Sequence, residues 1–185
     1  AINCSQTNEQ IIEELVDRFG TGRGIYRNTR HAVEGFPKRQ LQAVQLEGED
    51  AFASKLHWLS TWLDQQDKQD KHLLICHDLE SVLAIEKYLW EQKGLSCAVF
   101  HEQMSLIERD RSAAFFADDE QGARIMLCSE IGSEGRNFQF CHNLICFDLP
   151  DSPDLLEQRI GRLDRIGQQQ DVTIWIPSIN GSEEQ

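Results

Sequence analysis

From His72 to Pro177, short apolar runs alternate with amphipathic segments of helical length, and this alternation restricts the chain to one class of fold. His72-Leu-Leu-Ile-Cys76 reads as a strand, Asp78 to Lys93 as a helix closed by Gly94, and Leu95 to Phe100 as the next strand. Ser105-Leu-Ile-Glu108 has the capping-box pattern, a hydroxyl three residues ahead of an acid, and opens a helix that runs to about Phe116. Strands follow at Ala123 to Cys128 and Asn143 to Phe147, then a helix announced by Ser152-Pro153-Asp154, and a last strand over Asp171 to Pro177. Strands joined through helices return parallel to one another rather than as hairpins. The expected fold is α/β, a mainly parallel sheet covered by helices on both faces, in which ligands gather at the carboxyl ends of the strands.

Upstream, Phe52, Leu56, Leu59 and Leu63 recur at helical spacing over Asp50 to Leu63, with Trp58 and Trp62 beside them, and the polar run Asp64 to Asp70 is a loop. Nearer the amino terminus Thr7-Asn-Glu-Gln10 looks like a second capping box, and Ile11, Ile12, Leu15, Val16 and Phe19 trace a helix face that stops at Gly20. No run approaches the ~18 apolar residues needed to span a bilayer, and no signal-peptide pattern opens the sequence, so no membrane partner is expected. The six cysteines form no Cys-x-x-Cys pair. Cys76, Cys97, Cys128 and Cys146 lie in apolar runs and read as buried, reduced thiols. His72 and His77 bracket a strand and face different ways, and no metal ligand is assigned.

Two motifs carry chemistry. Gln158 to Gln168 reads Gln-Arg-Ile-Gly-Arg-Leu-Asp-Arg-Ile-Gly-Gln. If the helix from Ser152 continues through it, Leu156, Ile160 and Leu163 form one apolar stripe. Gln158, Arg162 and Arg165 then repeat the same spacing ~200° away. Such a face offers planar, multidentate donors to an anion, and Gly161 within it suggests a close approach to the backbone. The competing reading is a solvated Arg face neutralised by Glu157 and Asp164. Upstream, the Ala123 strand leads into Ser129-Glu-Ile-Gly-Ser-Glu-Gly-Arg-Asn137, a loop with Gly132 and Gly135 three apart. Its amides could approach a phosphate or ribose.

Taken in this order, Cys128 to Gln139 followed by Gln158 to Gln168 resembles motifs V and VI of the superfamily II helicase-like ATPases of the Swi/Snf type. Tyr26 to Arg30, Gly35 to Arg39, Phe100-His101-Glu102, Met104-Ser105 and Ile107 to Arg111 look like the bacterial RNA-polymerase-associated members of that family. Gln103 departs from the pattern, standing where a small Gly is expected. The resemblance implies a RecA-like carboxy-terminal lobe. In it Arg162 and Arg165 act as arginine fingers toward ATP on a first lobe, and Gln158, Gly135 and Asn137 serve the nucleotide. Ser129 and Ser105 would touch the nucleic-acid backbone. The ending Arg-Ile-Gly-Gln favours double-stranded DNA translocases over RNA helicases, and RNA polymerase is the implied partner.

The sequence holds neither a Gly-x-x-x-x-Gly-Lys-Ser/Thr phosphate loop nor an Asp-Glu-x-His box. ATP and Mg²⁺ would therefore be held mainly by the first lobe, and none is expected on this chain alone. Residues 1–49 read as an inter-lobe extension and 50–185 as the RecA-like domain. Within the extension, Thr21 to Gln40 carries Arg23, Arg27, Arg30, Lys38 and Arg39 against the single acid Glu34, in a chain of net charge −13. That stretch is either an exposed linker or a strap contacting DNA or the opposite lobe. Two further classes stay open: an interaction module that docks on RNA polymerase without catalysis, and a generic Rossmann-like small-ligand binder.

Overall fold

The computed structural model describes residues 37–130, 138–165 and 167–179. Among them six strands form one sheet: β1 (Arg39–Leu46), β2 (His72–Cys76), β3 (Ala98–Phe100), β4 (Ile125–Ser129), β5 (Asn143–Cys146) and β6 (Val172–Ile179). Their order across the sheet is β1-β6-β5-β2-β4-β3, and every pairing is parallel. Four helices connect them: α1 (Ala51–Gln65), α2 (Leu79–Lys93), α3 (Leu106–Ala117) and α4 (Pro153–Ile160). The α/β class expected from the alternation is the one observed.

The central strands β2, β4 and β5 are buried at every position, which is why they read as unbroken apolar runs rather than as alternating ones. Alternate residues still divide between two cores. Leu73 and Ile75 pack with Phe116 of α3 and Ile160 of α4, whereas Leu74 and Cys76 pack with Leu59 and Leu63 of α1 and Ile85 and Leu89 of α2. Each helix begins on a side-chain cap. Asp50 accepts from the Ala53 amide at 3.0 Å, Asp78 from Ser81 at 2.7 Å and Ser152 from Leu155 at 3.3 Å. Ser105 and Glu108 close a complete capping box. Gly94 ends α2 at φ 61°, where its amide reaches the Trp90 carbonyl at 2.8 Å.

Three differences from expectation have physical causes. Strand β3 begins at Ala98 rather than Leu95, because the Leu95 amide is used in closing α2 on the Leu89 carbonyl at 3.3 Å. Strand β1 lies inside the segment read as an extension, yet it pairs along its whole length with β6, from Arg39 opposite Val172 to Leu46 opposite Ile179. Its sequence, Arg-Gln-Leu-Gln-Ala-Val-Gln-Leu, is polar and half exposed, as an edge strand tolerates, and so lacks the apolar signature of its neighbours. Helix α4 stops at Ile160 instead of running through Gln168. The helix read over residues 7–19 lies outside the described residues, as do Cys4 and the acidic tail.

One side chain ties α4 to the sheet. Arg159 is 1% exposed, the largest fully buried side chain among the described residues. Its Nε donates to Glu130 Oε2 at 2.9 Å, its Nη1 to the Asp148 carbonyl at 2.7 Å, and its Nη2 to Asp148 Oδ1 at 3.1 Å and again to Glu130. Asp148 Oδ2 also accepts from the His77 amide at 2.8 Å, just beyond β2. Burial opposes the guanidinium charge, but the Glu130 and Asp148 carboxylates outweigh it and hold its pKa above the ordinary range. The amino edge of the sheet carries a different polar burial. His72 is fully buried with its ring edge on Trp62, centroids 4.9 Å apart, and neither ring nitrogen meets a hydrogen-bond partner.

Two expected outcomes follow from these burials. Replacing Arg159 with Met leaves two carboxylates facing each other without their cation. Because Glu130 and Asp148 keep 15% and 29% side-chain exposure, the loss of unfolding free energy should sit at the low end for a broken buried pair, about 3 kcal/mol by denaturant titration. A change below a few tenths of that would show that the triad is dispensable. For His72, burial first, then the charges of Arg124 and His142, lower the folded pKa from 6.5 to about 3. The unfolded imidazole therefore binds its proton at higher pH than the folded one. The contribution is complete above pH 6.5 and is lost as pH falls from 6.5 towards 3, at up to about 1.4 kcal/mol per pH unit. Urea unfolding between pH 7 and pH 4.5 should show this slope reduced in His72→Leu, and equal slopes in the two proteins would refute it.

Candidate functional site

Because all the strands are parallel, the loops that follow β3, β4 and β5 leave from one edge of the sheet, the edge where α/β folds collect ligands. The loop after β5 runs through Asp148 to α4, and α4 delivers the Gln158 to Gln168 motif. Past Ile160 the chain tightens into successive turns. Arg162 N reaches the Arg159 carbonyl at 3.2 Å, Leu163 N and Asp164 N both reach Ile160 at 3.0 Å, and Gln168 N reaches Arg165 at 3.0 Å.

The structure gives Gly161 a local role. It caps α4 at φ −62° and ψ −7°, donating to Glu157 at 2.9 Å, and a Cβ there would come within 3.2 Å of that same carbonyl. The glycine fits a closing turn, and no ligand need approach it. The division of faces survives the change of geometry. Ile160 and Leu163 are fully buried and Leu156 packs against the same core, while Gln158 and Arg165 are exposed. Arg165 Nε returns only to the Gly161 carbonyl at 3.1 Å, which leaves the rest of its guanidinium facing outward. Arg162 is half-buried and lies near Cys128, whose thiol is pushed far up by burial with the Arg162 charge opposing the shift.

The competing reading, in which Glu157 and Asp164 neutralise the Arg face, meets a different arrangement. Both acids are held by Arg39 of β1, whose Nε donates to Asp164 Oδ2 at 2.6 Å and whose Nη1 donates to Glu157 Oε1 at 2.7 Å. Arg39, read with the basic strap, is thus turned into its own lobe.

The two motifs meet in space. Phe138 N donates to the Arg162 carbonyl at 2.9 Å. Gln168, 9% exposed, clamps the same segment: its Nε2 donates to the Gln139 carbonyl at 2.9 Å, Cys141 at 3.0 Å and Leu163 at 3.3 Å. Gly135 and Asn137, read as nucleotide-binding, lie outside the described residues. Ser129, at the end of β4, is 1% exposed and its hydroxyl donates to Glu102 Oε2 at 2.7 Å. That hydrogen bond, ahead of a backbone contact, holds the Glu102 carboxyl below its usual range. A phosphate approaching Ser129 would meet this carboxylate first.

Ser105 follows β3 in the neighbouring loop, and its hydroxyl caps α3. The loop between them is stitched by Arg109, which donates to the Met104 carbonyl at 3.2 Å and to Glu102 at 2.9 Å. No described non-glycine residue has positive φ, so Gln103 sits in this loop without backbone strain where a Gly was expected.

Sequence reasoning missed Arg39, Arg159, Glu102 and Gln168. Only Arg159 carried a signal, standing three residues after Leu156 and four before Leu163 on the apolar stripe. Among the described residues no cluster of three His, Cys, Asp or Glu could hold a metal ion. Among the described free thiols Cys76, Cys128, Cys141 and Cys146 are buried and Cys97 is half-buried, and burial raises all five, Cys141 to about 12 and Cys146 to about 11. A cleft of about 540 Å³ against α1, lined by residues such as Leu46, Asp50, His57 and Trp58, shares nothing with the motifs.

Known proteins resemble this chain over nearly all of its length. It is 49% identical over 177 residues to the RNA polymerase-associated protein RapA of Haemophilus influenzae, covering 96% of this chain and 19% of that protein. To the RapA of Pseudomonas aeruginosa it is 45% identical over 213 residues, covering 97% and 22%. The chain therefore spans about a fifth of the length of the curated relatives it matches. Among solved structures, the Escherichia coli DEAD-box protein SrmB, bound to regulator of ribonuclease activity A, superposes with a TM-score of 0.66 at 19% identity, covering 77% of this chain and 79% of that one. The C-terminal part of the Fun30 ATPase domain gives 0.61 at 23%, covering 73% and 45%. These two likenesses establish the fold, a RecA-like lobe. Residues 54–167 match the family described as helicase conserved C-terminal domain, and the chain belongs to that family.

Proposed function

We propose that this chain is the second motor lobe of an ATP-dependent DNA translocase that works with RNA polymerase, as the names of its relatives suggest. The observation that carries the reading is the outward-facing Arg165, set on a tight turn beyond a helix that buried Arg159 anchors to the sheet edge. A guanidinium held in this way is preorganised to meet charge that develops on a phosphoryl group presented by a facing lobe. In this reading the first lobe binds ATP and Mg²⁺. Arg162 and Arg165 reach across as fingers, Gln158 lies beside them on the exposed side of α4, and Gly135 and Asn137 couple nucleotide state to lobe closure.

Ser129 and Ser105 would lie along the DNA track, with Ser129 released from Glu102 when a phosphate arrives. We place double-stranded DNA, RNA polymerase and the first RecA-like lobe as partners, residues 1–49 as the inter-lobe extension, whose strand β1 joins the sheet of this lobe, and the bacterial cytoplasm as the site of action. No described helix is long and apolar enough to cross a membrane. Phosphoryl transfer also needs a phosphate cradle, a metal and a water-positioning group, none of which this sequence supplies.

Arg165→Ala in the full-length protein is expected to lower DNA-stimulated ATP turnover by roughly 10³- to 10⁵-fold while leaving ATP binding within a few-fold. A steady-state assay beside a fluorescent-nucleotide titration checks both parts, and unchanged turnover would remove the finger role. The isolated 185-residue chain is expected to show neither ATP turnover nor heat of ATP binding by calorimetry. Micromolar nucleotide affinity would instead favour a small-ligand binder.

A further inference from the structure

Glu157 and Asp164 are the two acids nearest in sequence to the Arg162 and Arg165 pair, and Asp164 stands between them in the same turn. An exposed arginine beside a free carboxylate pairs with it, and a paired guanidinium presents less charge to a phosphate. Here a third arginine takes both acids. Arg39 arrives from the far edge of the sheet, 125 residues away from Asp164 and 118 away from Glu157 in sequence. The residue before it is fastened to the start of β6, opposite which Arg39 is paired: Val172 N donates to the Lys38 carbonyl at 2.8 Å, and Lys38 N donates to Asp171 Oδ1 at 3.1 Å. The Arg39 side chain is 13% exposed and forks, Nε to Asp164 and Nη1 to Glu157, while the Asp164 side chain is 1% exposed. Burial pushes the Asp164 carboxyl up, and the Arg39 charge works against that shift. Among the described residues no acid pairs with Arg165.

We infer that Arg39 is a positioning residue for the finger turn: it engages Asp164 and Glu157, so that neither acid pairs with Arg165, which remains available to a phosphoryl group. The inference rests on the finger reading proposed above. Its chemistry requires a fork. A lysine at residue 39 would bring one ammonium to two carboxylates that meet different guanidinium nitrogens, and would hold one acid at the expense of the other.

The test uses the full-length protein, with DNA-stimulated turnover measured at a temperature below the unfolding midpoint of every variant. In that regime a merely structural residue lowers the midpoint and leaves the kcat of folded molecules unchanged. Arg39→Gln is expected to lower kcat by roughly 10- to 100-fold, the scale of a misplaced catalytic group, with the KM for ATP within about twofold. Adding Asp164→Asn to Arg39→Gln should recover most of the lost kcat, because the competing carboxylate is gone. Arg39→Lys should fall in the same direction by less, and it provides the comparison if Arg39→Gln does not fold.

A folded Arg39→Gln or Arg39→Lys protein with unaltered kcat overturns the inference, as does a double variant no better than the single. Arg165→Ala measured in parallel separates the two levels. If it leaves turnover intact, the finger reading itself has failed. If it abolishes turnover while Arg39→Gln does not, only the role of Arg39 falls.

Discussion

A buried guanidinium sets the geometry on which everything at the carboxyl edge depends. Arg159 gathers Glu130 beyond β4, Asp148 beyond β5 and, through Asp148, the His77 amide beyond β2, so that the ends of three central strands and the last turn of α4 converge on one cation. Such a site is costly to dehydrate and is favourable only because its donors are matched by acceptors in position. Lysine could not do this, since a single ammonium lacks the fork that reaches two carboxylates and a carbonyl at once. Replacing a buried ion pair and its acids together by apolar residues is often neutral or stabilising, so stability alone does not account for the arginine. What it supplies is register: α4 cannot slide along its axis without breaking three directed contacts, and the turn bearing Arg162 and Arg165 inherits that position.

The two cores and the carboxyl edge divide the work. Leucine, isoleucine and aromatic side chains above and below the sheet contribute the stability, at ~1.5–3 kcal/mol for each one fully buried. The edge holds the polar contacts that place side chains: Arg109 on the loop after β3, Gln168 on the segment from Phe138 to Cys141, and Arg39 on Glu157 and Asp164. Each of these donates to acceptors supplied by a different stretch of chain.

How far the sequence reveals this differs by element. Strands β2, β4 and β5 and helices α2 and α3 are legible because their signals are local: an apolar run, a cap within three residues, a glycine at the αL end. Strand β1 is not, because an edge strand of glutamines alternating with small apolar residues has no signal apart from the partner it finds in β6. Helix α4 is overextended for a different reason. Leu163 keeps the helical phase after the helix has ended, since the turns past Gly161 carry it round by nearly the same angle. The Arg162 and Arg165 pair can be picked out as candidates from spacing, but the partners that orient their turn come from residue 39 and residues 138–141, separations over which a single sequence carries no pairing information.

The chain's acidity, −13 overall, takes on a more specific meaning once its cations are followed to their partners. Arg39 and Arg159 are bound to carboxylates, Lys93 to Asp64, Lys71 to the Asp118 and Ala123 carbonyls, and Arg124 to the carbonyls of Leu63, Gln66 and Asp67. Cations committed in this way displace no counterions from a nucleic acid, and the surplus of acids repels one. A lobe of this composition would bind a duplex weakly by general attraction, so any contact it makes must come from a few directed groups. Under the proposed function, that constraint favours a division of labour in which segments outside this lobe would hold the DNA, while this lobe would keep Arg165 outward for the nucleotide. The two tasks would otherwise compete, since a strongly basic surface around the finger turn would attract phosphates of the wrong kind to the place where only one must fit.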